Sequence, residues 1–71
     1  MQEFLEFIAT VMKVDASELS EETAFKVHPK WNSLMHMKLV MSVEDEYDTE
    51  IPLDQVPHIK TLKDLYQYTL D

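Results

Sequence analysis

The chain has 71 residues, no cysteine and no glycine, and its fourteen Asp/Glu against six Lys/Arg leave a formal charge of −8. A single small domain of this length buries only about 60% of the surface its unfolded chain exposes, and without cysteine neither a disulfide nor a thiolate metal site supports it, which fits a reducing cytoplasm. The acidity repels nucleic-acid phosphates and anionic membranes and steers the domain towards basic protein surfaces. No apolar run is long enough for a bilayer span or a signal segment.

Lack of glycine rules out a Gly-rich phosphate loop and a Gly-x-Ser-x-Gly nucleophile elbow, and it removes the residues that tight β-hairpins prefer. Helices joined by polar loops remain. The first is expected over residues 2–13, where Phe4, Leu5, Ile8, Val11 and Met12 form one apolar stripe. Residues 14–32 lose that period. They read as a long loop pinned by Val14, Leu19, Phe25 and Val27, with one short turn at Ala16–Leu19, and Pro29 disfavours helix at His28.

A second helix is expected from Ser33 to Tyr47 or Asp48. Asn32 is a favoured N-cap for it, and Trp31 and His36 then occupy the two positions of a staple, ring against ring. The segment "DTEIPLD" follows as a loop, residues 53–57 form one short turn cut by Pro57, and Thr61 with Asp64 makes a capping box for a last helix whose buried stripe is Leu62, Leu65, Tyr66 and Thr69. The expected fold is all-α: one domain over residues 1–71, a small four-helix bundle of three main helices and a short one, with a long first loop.

Helix two is apolar on two sides. His36, Leu39, Val40, Val43 and Tyr47 share one face, which is the core face. Leu34, Met37 and Met41 form a second stripe, edged by Lys38, Glu44 and Asp45. Either this stripe packs under the long loop, or it is an exposed strip on which partners dock, a role that suits adaptable methionines. The histidines 28, 36 and 58 have no zinc-site spacing, so no metal is expected. No general base or oxyanion arrangement accompanies Ser33, so the chain is not expected to be an enzyme. Taken alone, a serine before a helix is a capping residue.

The stretch "WNSLMH" resembles the Trp-Asp-Ser-Leu-x-His motif of free-standing acyl carrier proteins, and "VMSVEDEYDTEIP" resembles the same family's helix end and following loop. With the acidity, the length and Phe25, the resemblance covers nearly the whole chain and reverses the reading of the serine. It implies that Ser33, flanked by Asn32 and Leu34, bears 4′-phosphopantetheine through a phosphodiester, taken from coenzyme A by a phosphopantetheinyl transferase. The arm's thiol then carries an acyl group as a thioester, and space between the helices shelters the apolar chain. The implied partners are that transferase and acyl ligase, synthase or transferase enzymes with basic patches, in fatty acid, polyketide or related specialised synthesis. They dock on Leu34, Met37, Met41, Lys38, Glu44 and Asp45. A monomer in the cytoplasm fits such a shuttle, with no nucleic acid and no stable membrane insertion.

The chain departs from the family pattern in four ways. Asn32 stands where the family has an aspartate that helps place the transferase's metal ion, which implies slower modification or a particular transferase. The family's loop glycine is missing, with Lys30 and Trp31 in its neighbourhood. Met35 and Lys38 stand where carriers of general fatty acid synthesis show acids. A dedicated carrier for a narrow set of enzymes follows from this charge reversal. A peptidyl or aminoacyl carrier, and an unmodified acidic interaction module of the same fold, remain as alternatives.

Overall fold

The computed structural model describes residues 1–70. Helix α1 spans Gln2–Met12, α2 spans Ser33–Tyr47 and α3 spans Leu62–Tyr66, with 3₁₀ turns at Ala16–Glu18, Leu53–His58 and Gln67–Thr69. Among the described residues the only β pairing is an isolated antiparallel bridge between Ala24 and Thr61. The all-α class and the order of helices agree with the sequence. Of the expected boundaries, α1 stops one residue early because Lys13 turns into the left-handed region (φ 62, ψ 46) and donates its N–H to Ala9.

That turn exposes a consequence of the missing glycine. Lys13, Lys26 and Asp48 all hold positive φ, a region that costs a residue with a Cβ roughly 1–2 kcal/mol. Lys13 and Asp48 end α1 and α2 in the position glycine normally fills, each with its N–H on a carbonyl four residues back. Lys26 makes the corresponding turn in the long loop, its N–H on the Trp31 carbonyl at 2.9 Å. The left-handed residue of the loop is therefore Lys26, and neither Lys30 nor Trp31.

Two expectations for the C-terminal half need correction. Pro57 does not cut the short turn, which runs as a 3₁₀ helix through it to His58. A proline lacks only its own N–H, and a single tight turn tolerates that loss. The last helix is α-helical only to Tyr66 and tightens into 3₁₀ over Gln67–Thr69, so Leu62 and Leu65 are buried while Tyr66 and Thr69 are only half-buried. Tyr66, Tyr68 and Thr69 are poor helix formers, and the Thr69 hydroxyl donates back to the Tyr66 carbonyl at 2.7 Å. The start of α3 is as expected: the Thr61 hydroxyl accepts the Asp64 N–H and the Asp64 carboxylate accepts the Thr61 N–H.

The core gathers Phe4, Ile8 and Met12 from α1, Leu39 and Val43 from α2, and Ile59, Leu62 and Leu65 from the C-terminal segment. Trp31 fills the space beneath the long loop and is wholly buried. Each such side chain contributes about 1.5–3 kcal/mol by leaving water. The loop is tied to the C-terminal segment by main-chain bonds: Phe25 N–H to the Lys60 carbonyl (2.8 Å), Leu62 N–H to Thr23 (3.0 Å) and Lys63 N–H to Glu21 (2.9 Å). Val27, expected as a loop anchor, is instead 78% exposed, because it sits on the outer side of the Lys26 turn. Tyr47 is half-buried among Phe4 and Phe7 (ring centroids 6.1 and 5.8 Å). Burial raises its phenol pKa above the usual value, with smaller contributions from Glu46, Glu3 and Tyr66.

Candidate functional site

The site is built where the long loop enters α2. The Asn32 side chain accepts the Met35 N–H at 2.9 Å and the Asn32 carbonyl accepts the His36 N–H at 2.8 Å. The capping duty thus belongs to Asn32, which frees the Ser33 side chain from it. Ser33 is the first residue of α2 and is exposed. The first turn of α2 contains no acid, so the positive end of the helix is left uncompensated there.

Behind Ser33, the junction is fixed by a buried polar relay. The Trp31 indole Nε1 donates to His36 Nδ1 at 2.9 Å, and His36 Nε2 lies 2.9 Å from the Val56 carbonyl oxygen. An indole N–H can only donate and a carbonyl can only accept, so the imidazole is the neutral tautomer with its proton on Nε2. The rings of Trp31 and His36 stack at 5.8 Å with 26° between planes, and Phe25 stacks on the other partner of this group, His36, at 4.3 Å. The expected staple is present, and its contact is polar as well as apolar. One imidazole therefore joins three segments: the loop, α2 and the 3₁₀ helix of residues 53–58.

The two apolar sides of α2 part company in the structure. His36, Leu39, Val40 and Val43 are buried, and Tyr47 is half-buried. Leu34 (82% exposed), Met41 (64%) and Met37 (40%) stand in the open. Together with Lys38, Ser42, Glu44 and Asp45 they line a shallow, open groove on the outer face of α2. The groove starts one residue after Ser33 and runs along the helix. Every residue expected to dock partners lines it, and Ser42 joins them unpredicted, since a small polar residue carries no periodic signal.

Of the two acids on the strip, one departs from a solvated face. Glu44 is half-buried, and its carboxylate accepts the Ile51 N–H at 2.8 Å, folding the chain after α2 back onto the core. Asp45 is exposed. His28 faces Glu18 at 3.9 Å on the loop, and among the described residues no three His, Cys, Asp or Glu side chains come together as a metal site. Among the same residues no helix is long and apolar enough to cross a membrane.

Comparison with known proteins fits this geometry to a family. Residues 2–69 match the sequence profile described as a phosphopantetheine attachment site. The acyl carrier proteins of Rickettsia canadensis (strain McKiel) and Rickettsia rickettsii (strain Iowa) are each 34% identical to the chain over 67 residues, covering 94% of it and 78% of the relative. The chain therefore belongs to the acyl carrier protein family, whose members are carriers and not catalysts and whose cofactor is a covalent 4′-phosphopantetheine.

Proposed function

We propose that this chain carries an acyl group as a thioester on a 4′-phosphopantetheine arm joined to Ser33, and presents it to a narrow set of biosynthetic enzymes that dock on the α2 groove. The observation that carries this reading is the division of labour at the head of α2: Asn32 caps the helix and Ser33, next to it, is exposed and free to be modified. A phosphodiester on the first helical residue meets the positive end of a 15-residue helix, which stabilises an anion there. The arm supplies the thiol, and the chain itself holds no cysteine to compete with it. Trp31 and His36 hold the loop end rigid behind the attachment point, and the groove offers apolar contact beside it. The transferase and the acyl-handling enzymes are the partners this role requires, and a monomer leaves the groove open to each in turn.

The test is the intact mass of the protein before and after incubation with coenzyme A and a broad-specificity phosphopantetheinyl transferase. Wild type is expected to gain one phosphopantetheine and Ser33→Ala none; no gain on wild type with several transferases would sink the reading unless Asn32→Asp restored it. Asn32→Asp keeps the cap, because both side chains accept the Met35 N–H, and it is expected to speed loading by a transferase adapted to the common family motif.

A further inference from the structure

Lys38 lies within the apolar strip of α2, and nothing on its own helix neutralises it. The residues three and four positions away are Leu34, Met35, Met41 and Ser42, so no acid stands at the spacing at which side chains pair along a helix. Among the described residues its ammonium enters no ion pair, the only pair there being His28 with Glu18. Asp45, seven residues on, falls on the same side of the helix about 10 Å away. The groove is thus polarised along its length. A cation stands on the half nearer Ser33 and carboxylates at the far end, with Leu34, Met37 and Met41 among them.

We propose that the groove is read by a protein surface of mixed charge: an apolar patch over Leu34, Met37 and Met41, a carboxylate against Lys38, and a basic group about 10 Å further on against Asp45. Lys38 is then a specificity-determining residue that rejects wholly basic surfaces. The inference rests on the reading of α2 as the docking face. Covering the strip takes water from the Lys38 ammonium, and a buried cation without a counter-charge is unfavourable. A lysine or arginine opposite it adds repulsion, whereas a carboxylate makes the same contact attractive. The charge of −8 draws basic surfaces from a distance whatever their pattern, but that pull is screened beyond about 8 Å at physiological salt. Discrimination by Lys38 acts at contact range, where the net charge no longer decides.

A four-way binding cycle tests this on the unmodified protein carrying Ser33→Ala, so that no arm intervenes. The probes are two synthetic helical peptides with the same apolar stripe and the same pair of lysines at one end. They differ in one residue, glutamate or lysine, seven positions before that pair. Each is titrated at physiological salt into isotope-labelled protein with Lys38 or with Lys38→Glu, following amide shifts. The Lys38 protein is expected to favour the glutamate peptide and Lys38→Glu the lysine peptide. The two ratios should multiply to about tenfold or more, with shifts centred on Leu34, Met37 and Met41. A product near one, shifts elsewhere, or no saturable binding of either peptide would overturn it. Circular dichroism checks that Lys38→Glu is folded, as an exposed exchange between good helix formers should be. Loading of wild type at Ser33 is read separately by mass. Loading without coupling sinks the mixed-charge surface, and coupling without loading of either wild type or Asn32→Asp sinks the carrier.

Discussion

The two sides of α2 are made of similar residues and meet opposite fates. Leu39 and Val43 are 0% exposed, while Leu34 and Met41, on the same helix, are 82% and 64% exposed. Apolar content tells how much of a helix prefers to leave water. It does not tell which side finds neighbours to pack against. Here α1, Trp31 and the C-terminal segment supply neighbours for one side, and a chain of 71 residues has none left for the other. The exposed side is therefore left to solvent in the folded chain.

Substitutions on the two sides should separate cleanly. Leu39→Ala leaves a cavity in the core and is expected to cost about 2–5 kcal/mol in urea unfolding. That is about half the margin of a domain this small, whose total stability is roughly 4–10 kcal/mol. His36→Ala is expected to cost about 2–3 kcal/mol, because it orphans the Trp31 indole N–H and the Val56 carbonyl. Its distinguishing sign is a shifted Trp31 indole resonance and a red-shifted emission of the chain's one tryptophan. On the outer side, Leu34→Gln and Met41→Gln are expected to change stability by less than about 0.5 kcal/mol. They should instead weaken peptide binding to the groove. A loss of more than about 1 kcal/mol from either would mean that the strip is covered in the folded chain, and the contrast between the two sides would fall.

Local structure was legible in the sequence where a capping or staple side chain acts on backbone within four or five residues. Asn32 capping α2, the Thr61–Asp64 box, the meeting of Trp31 with His36, and the position of Ser33 on the first turn all follow from side chains acting on nearby backbone. The core face of α2 and the second stripe were both legible as periods. Whether the second stripe packs under the long loop or stays exposed was not, since that depends on where the loop lies in the folded domain. The Pro57 turn and the shortened last helix were misjudged because each depends on how little order a single turn requires.

What the sequence determined by itself was an acidic, all-helical chain, where its helices start, and the place of Ser33 beside the Asn32 cap. Tertiary structure alone decided the rest. It placed the Val56 carbonyl on His36 across twenty positions, turned Glu44 towards Ile51, stitched Thr23 and Phe25 to the last segment, and swung Val27 outward. Capping and periodicity are short-range forces that a few adjacent residues specify. Which carbonyl a buried imidazole meets, and which apolar stripe stays wet, depend on chain segments that meet only when the whole domain has closed.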